Sequence, residues 1–372
     1  VLHVYRTYFP DTQGGLEEVI RQICLGPRKQ GVSSRVFTLS DEPFPAFLPR
    51  VEADVVRVRK TFEVASCGFA LTGIRRFIKE VEWADIVHYH YPWPFSDLLY
   101  LIAGQRKPAV LTYHSDIVRQ KFLLAMYRPM MERYLGHMRR IIATSPNYFA
   151  TSEILNGFAE KVDVIPIGLD EPSYPTTDER NRDLARVRET YGENYFLFVG
   201  VLRYYKGLHI LLDAAKGAPY RVVIVGAGPV EAELRKQARI EGLDNVSFAG
   251  FVSDSEKMAL FGLCRAVVFP SYLRSEAFGV TLLEGAMSAK PLISAEVGSG
   301  TSHVNIHGDT GLVVEAGNHL ALRDAMDVLH QDQVLADRMG KNARHRYELL
   351  FTGKLMGERY KALYTDVLGK TG

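Results

Sequence analysis

Cysteine is scarce: the 372 residues hold three, Cys24, Cys67 and Cys264, far apart and without a CxxC pair. That excludes a disulfide framework and a thiolate zinc site, and leaves the three as buried, reduced thiols. Long apolar runs are missing too. Nothing approaches the ~20 consecutive apolar residues of a membrane span, and the N-terminus has no basic-then-apolar leader, so a cytoplasmic location is expected. An excess of one charge is also lacking. The formal net charge of +2 is too small to point to nucleic acid, although the N-terminal half is mildly basic. Internal repeats and low-complexity tracts are absent.

What is present is ordinary globular composition, 47% hydrophobic and 24% charged. At this length a single core usually gives way to two, so two domains are expected. Short β-branched runs alternate with segments of helical period, the pattern of a parallel sheet wrapped by helices. The first half offers strands at 2–5, 34–39, 86–90, 109–113, 140–143 and 162–165, with helices between them such as 16–29 and 73–81. The alternation breaks at 169–183, where Asp170, Pro172, Pro175 and Asp178 cluster as in a linker. It resumes with strands at 195–200, 221–225, 246–249, 266–269, 291–294 and 311–314, and from 318 onward the sequence reads as helix. The expected division is an N-terminal Rossmann-like domain at 1–170, a C-terminal one at 171–350, and a helix at 351–372 returning to the first. Ligands of open α/β sheets bind at the carboxyl ends of strands, so two doubly wound domains would present their loops across a common cleft.

Chemistry should therefore lie just after strands. Gly14 and Gly15 stand between the first strand and a helix, where glycine amides and a helix N-terminus suit a phosphate; an ordinary tight turn explains the same pair. Arg203 and Lys206 follow the strand at 195–200, and a guanidinium fork with a mobile ammonium suits a diphosphate. Two solvated loop charges are the plain alternative. Glu276 precedes a helix starting near Phe278, and Glu284 lies within it, so the two carboxylates can address different ends of one ligand. Carboxylates accept well from vicinal hydroxyls, and the amides of Phe278, Gly279 and Val280 sit between them at a helix start. His114 stands at the end of a buried strand, as do His88 and His90, which could line an acceptor. Gly226 begins a Gly-Ala-Gly-Pro loop, too short of the full dinucleotide fingerprint to carry weight alone. The stretch from Arg119 to Arg140 mixes Arg and Lys with Phe, Met and Leu, and suits either ordinary packing or an anionic membrane surface.

The segment 267–314 carries Phe-Pro-Ser, then Glu276 and Glu284, Lys-Pro-Leu-Ile-Ser, Gly298-Ser-Gly-Thr-Ser and Gly308-Asp-Thr-Gly-Leu-Val-Val. In that number and order these motifs resemble the retaining glycosyltransferases of family 4, with the GT-B fold, and the resemblance runs from the Gly14-Gly15 loop to the C-terminal helices. It implies that Glu276 contacts a donor sugar and Glu284 the nucleotide ribose. Arg203 and Lys206 would hold the diphosphate, with an amide of Gly15, and His114 would approach the hexose. Phe251 and Val252 match the stretch whose backbone reads the nucleobase, with Gly226 in the neighbouring loop. One position departs: the family arginine follows the strand-end glycine directly, where this sequence has Val201, and Arg203 takes its place.

The resemblance further implies hexosyl transfer with retention and no resident cofactor or metal. The 203–207 and 298–302 loops look most like bacterial enzymes that move mannose from GDP-mannose onto a lipid-linked glycan for surface polysaccharide or O-antigen. A UDP-glucose or UDP-N-acetylglucosamine donor is the nearest alternative. A sugar-nucleotide epimerase of the same fold and a non-catalytic nucleotide-binding module are the others. The expected partners are a nucleotide-sugar, a glycan or lipid-linked glycan acceptor and a peripheral contact at the inner face of the cytoplasmic membrane, with no nucleic acid.

Overall fold

The computed structural model describes residues 1–64, 67–117 and 121–369, with backbone alone at 104 and 121–126. Near its N-terminus the chain forms β1 (Leu2–Val4), β2 (Arg35–Ser40), β3 (Phe47–Pro49), β4 (Asp54–Arg59), β5 (Phe62–Val64) and β6 (Cys67–Phe69). β7 (Val87–Tyr91), β8 (Ala109–Tyr113), β9 (Arg140–Ala143) and β10 (Val162–Val164) follow. The main sheet has the order β10-β9-β8-β7-β1-β2-β4-β3, and β5 and β6 pair apart from it. β3 runs antiparallel to β4, while the other neighbours in the main sheet are parallel. The strands β7 and β8 are buried throughout, as expected where helices cover both faces of a parallel sheet.

These elements belong to a unit made of Val1–Gly168 and Gly353–Gly372. The last helix, Gly353–Val367, packs on the first, Gly15–Arg28. The two backbones meet at glycines: a methyl group at Gly26 would lie 2.7 Å from the Cα of Gly357, so any larger residue would push the helices apart.

The second unit is Leu169–Thr352. It contains β11 (Phe196–Val199), β12 (Val222–Val225), β13 (Val246–Gly250), β14 (Ala266–Phe269), β15 (Leu292–Glu296) and β16 (Gly311–Glu315). Their order is β13-β12-β11-β14-β15-β16, and every pair is parallel. This is the doubly wound arrangement whose order reverses at the first strand. Phe196, Phe198, Ile224, Val268, Ile293 and Met326 are among its core residues.

One expectation is corrected, and strands beyond those expected are present. The span 169–183 is not a plain linker, because the helix Thr177–Tyr191 starts inside it. Thr176 accepts from the Glu179 amide and Glu179 reaches back to the Thr176 amide, a reciprocal cap that stops the helix end from fraying. β4 has no counterpart in the sequence reading, because Arg57 and Arg59 interrupt its apolar run. Arg57 is nonetheless buried, since Asp11, Ser40 and the carbonyls of Glu42 and Pro45 take its guanidinium. The stretch from Arg119 to Arg140 begins outside the described residues and continues as the helix Lys121–His137. No helix among the described residues is long and apolar enough to cross a membrane.

Candidate active site

In the second unit, the loops at the carboxyl ends of β11 and β14 are tied together. Gly207 adopts φ +70°, and a methyl group there would lie 2.1 Å from the Pro270 carbonyl oxygen, so only glycine permits this approach. The Tyr272 amide donates to the Tyr205 carbonyl at 3.1 Å. The short turn Tyr204–Lys206 is thereby pressed onto the 270–276 loop, and Lys206 Nζ donates to Glu276 Oε2. Ser271 Oγ donates to the same oxygen at 3.2 Å. The ammonium lies 4.7 Å from the Phe269 ring centroid, a further hold on the cation. Both partners are about nine-tenths shielded, with side-chain exposures of 13% and 10%. Glu276 Oε1 takes no donor from the described residues.

Next to this pair, the helix Val280–Met287 begins at Gly279, whose φ is +90°. Thr281 Oγ1 anchors its first turn on the Val199 carbonyl at 2.9 Å, and the Gly300 amide fixes the preceding Ala277 carbonyl at 2.8 Å. Phe278 is buried against Phe351. The Leu282 amide donates to the Gly279 carbonyl at 2.9 Å, while the amides of Val280 and Thr281 lie at the positive end of the helix dipole, which suits an anion. One turn further on, Glu284 is buried and accepts from Lys257 Nζ at 2.8 Å and from the Tyr174 hydroxyl at 3.4 Å. Both contacts fall on Oε1, leaving Oε2 to accept from a ligand hydroxyl. Burial opposes the charge on Lys257, yet the carboxylates of Glu284 and Asp254 outweigh it and hold the ammonium well above its ordinary range.

Strand ends complete this edge. The Gly200 amide donates to Val225, and Gly226 to Gly250, at 3.0 and 2.8 Å, so the loops carrying Lys206, Gly226 and Val252 lie side by side. Val252 is half-buried and Phe251 exposed. Arg203 stands apart from Glu276: its side chain is exposed and lines a cavity of about 280 Å³ with Tyr204, His209, Glu233, Gln237 and Tyr272. Lys257 escaped the sequence reading because a lone helical lysine gives no signal. Its spacing to Asp254 is visible, but its pairing with Glu284 depends on the fold.

In the first unit, Gly14 caps the helix Gly15–Arg28 with extended backbone. The Glu17 carboxylate folds back over it, accepting from Thr12 Oγ1 at 2.9 Å and lying 2.8 Å from where a methyl group on Gly14 would stand. A carboxylate thus already stands at the helix start that the sequence offers to a phosphate. His114 is buried at the end of β8, its Nε2 2.9 Å from Nδ1 of His90. Burial lowers its pKa to about 3. His90 Nε2 in turn lies 3.1 Å from Nδ1 of His3. His88 bonds to Thr112 Oγ1 at 2.7 Å and to the Tyr364 hydroxyl at 2.8 Å, which places it in the core.

Nitrogens of His3, His88 and His90 lie within 4.8 Å of one another, the one group among the described residues close enough to hold a metal ion. A bound ion needs in-plane lone pairs that converge. The rings of His88 and His90 instead stack at 22°, and those of His3 and His90 at 23°, so they face one another rather than a common centre.

Two doubly wound units, one carrying a lysine–glutamate pair beside a helix start at its strand ends, are the arrangement expected from the sequence resemblance to GT-B sugar transferases. The glycosyl transferases group 1 profile matches residues 179–346 and that of glycosyltransferase family 4 matches 13–171. The chain is 52% identical over 352 residues to the D-rhamnosyltransferase WbpZ of Pseudomonas aeruginosa, covering 95% of this chain and 92% of that one. It is 47% identical over 368 residues to the O-antigen chain mannosyltransferase C of Escherichia coli, covering 99% and 98%. Among solved structures, a sucrose-phosphate synthase from Thermosynechococcus elongatus superposes with a TM-score of 0.81 at 21% identity, covering 99% of this chain and 98% of that one. Anabaena HepE in complex with UDP-glucose gives 0.79 at 20%, covering 98% and 99%. The chain belongs to glycosyltransferase family 4 and is a GT-B glycosyltransferase.

Proposed function

We propose that the protein transfers a manno-configured hexose, in the first place mannose from GDP-mannose, to a hydroxyl of a lipid-linked glycan in O-antigen or related surface-polysaccharide synthesis, with retention of configuration. The observation that carries this reading is the shielded Lys206–Glu276 pair beside the helix start at Val280. Negative charge builds on the departing diphosphate, and a fixed ammonium with helix-start amides stabilises it where it appears. Lys206 reaches the diphosphate on a flexible stem while Glu276 accepts from the hexose hydroxyls. Glu284, steadied by Lys257, takes the ribose hydroxyls on Oε2. The bond from the anomeric carbon to the diphosphate breaks, the acceptor oxygen bonds to that carbon on the same face, and a donor phosphate oxygen takes the acceptor proton. No dedicated base is then required, and Lys206 with the amides supplies the positive charge that a divalent cation supplies in other transferases. In the first unit, His114 is the group proposed to touch the hexose.

The names of the two relatives support the manno configuration, and the rhamnosyltransferase favours a second donor, since D-rhamnose is mannose without its 6-hydroxyl. UDP-glucose and UDP-N-acetylglucosamine are less favoured, and an epimerase is not. A lipid-linked acceptor places the enzyme at the inner face of the cytoplasmic membrane, where the helix Lys121–His137 and its flanking basic residues suit a peripheral contact. The test incubates the enzyme with GDP-mannose, GDP-D-rhamnose and UDP-sugars, with and without a polyprenyl-diphosphate glycan, following nucleotide release and product mass in EDTA. Acceptor-dependent gain of one hexose from GDP-mannose is expected. Turnover with UDP-sugars alone, turnover without acceptor, or loss of activity in EDTA restored by a divalent cation would overturn the corresponding part of the reading.

A further inference from the structure

His3, His90 and His114 form a buried chain that runs across the core of the first unit to the end of β8. The links are His3 Nδ1 to His90 Nε2 at 3.1 Å and His90 Nδ1 to His114 Nε2 at 2.9 Å. The rings of His90 and His114 stack at 19°, with centroids 5.2 Å apart. At the inner end His3 Nε2 is buried without a partner among the described residues. At the outer end His114 keeps 5% exposure, and its Nδ1 takes no partner from the described residues. Strand register holds the chain in place, because His3 pairs with His88, and His90 with Thr112, on adjacent strands.

A neutral imidazole has one N–H and one lone pair, so each hydrogen bond dictates the next. Only two proton arrangements keep both bonds. In one, every ring carries its proton on Nδ1: His3 donates to His90, His90 donates to His114, and His114 keeps an Nδ1–H that no described residue accepts. In the other, every proton sits on Nε2, and His3 Nε2–H is then an orphaned buried donor. Orphaned buried N–H groups are rarer than bare acceptors, which selects the first arrangement.

We propose that His90, backed by His3, is a positioning residue that locks His114 in the Nδ1–H tautomer, so that His114 meets the transferred hexose as a hydrogen-bond donor. The proposal rests on the reading of His114 as a hexose contact. It makes the oxygen that His114 touches an acceptor, and it explains why histidine stands at a buried strand position where an apolar residue would pack as well.

The test is long-range ¹H–¹⁵N correlation on enzyme with ¹⁵N-labelled histidine, together with kinetics. The expected spectrum shows the His114 proton on Nδ1. His90→Phe should lower kcat by about tenfold to a hundredfold, with the donor KM changed far less, as for other residues that orient a functional group. His90→Asn, whose amide nitrogen can still donate to His114 Nε2, should keep the Nδ1–H signal and recover most of the turnover, with thermal melts showing that both variants are folded. Two failures are separable. A His114→Ala enzyme with wild-type kcat would remove the hexose contact, and with it the role of His90. An inactive His114→Ala beside a His114 protonated on Nε2, or beside a His90→Phe enzyme of wild-type rate, would overturn the relay alone.

Discussion

In the second unit the buried carboxylates Glu276 and Glu284 each meet a lysine ammonium, whereas in the first unit the buried His3, His88, His90 and His114 meet one another and the hydroxyls of Thr112 and Tyr364. Both arrangements satisfy polar groups away from water, with opposite electrical results. A carboxylate with an ammonium beside it forms an ion pair, and each partner would be costly to leave alone, about 3–5 kcal/mol for a well-buried pair. An imidazole among imidazoles stays neutral, because burial disfavours its charged form and nothing nearby repays it. On the proposed reading, one unit holds charge against a charged ligand and the other aims uncharged hydrogen bonds.

The largest expected effect breaks the charged half of this contrast. Glu276→Ala should abolish transfer, and Lys206→Ala should lower kcat/KM by about 10³, as the loss of a principal charge-stabilising donor does elsewhere, with circular dichroism showing an intact fold. Wild-type turnover in either folded variant would remove that residue from the site. A smaller effect is expected one helical turn away. Glu284→Gln should raise the donor KM by about tenfold with kcat nearly unchanged, because contacts to the ribose are equal in the ground and transition states. A drop in kcat at constant KM would move Glu284 to the reacting centre.

These residues differ in how far the sequence reveals them. Lys206, Glu276 and Glu284 stand in motifs with fixed spacing beside glycines, and the strands that carry them are apolar runs bounded by turn residues, legible by period alone. Lys257 and Tyr174 are not legible, since each reaches Glu284 only through tertiary packing. The same holds for the bond between His90 and His114, set by the pairing of two strands 24 residues apart. β4 was hidden because Arg57 looks like a surface residue until Asp11 is placed beside it. The helix Thr177–Tyr191 was hidden by prolines and aspartates that signal a linker, although the Thr176 and Glu179 spacing is itself a helix start.

Acid should separate the two units. Burial lowers the pKa of His3 and of His114 to about 3, against about 6.5 in an unfolded chain. Between those values the unfolded chain binds protons that the folded one refuses. The stability contributed is therefore complete above pH 6.5 and declines as pH falls toward 3, by about 1.4 kcal/mol per pH unit for each histidine. Hydrogen exchange between pH 6.5 and 4.5 should show β1, β7 and β8 losing protection before β11 and β14. Equal loss in both sheets would contradict the neutral cluster.

An effect of opposite sign concerns a carboxylate in the first unit that has no ammonium partner. Burial, partly offset by donors from Tyr127 and Ser96, raises the Asp97 pKa to about 8, so this group favours the folded state fully below pH 3.8 and loses that contribution as pH rises to about 8. Asp97→Asn should match the wild-type Tm at pH 4 and exceed it at pH 8, the gap widening steadily between the two. A gap that narrows with rising pH would show that Asp97 is ionised in the folded protein.

The most direct measurement is a crystal structure of the enzyme bound to GDP. The expected result places the diphosphate within hydrogen-bonding distance of Lys206 Nζ and the amides at Gly279 and Val280, with the ribose hydroxyls on Glu284 Oε2. A diphosphate bound away from the 203–206 turn and the start of the helix Val280–Met287 would contradict it.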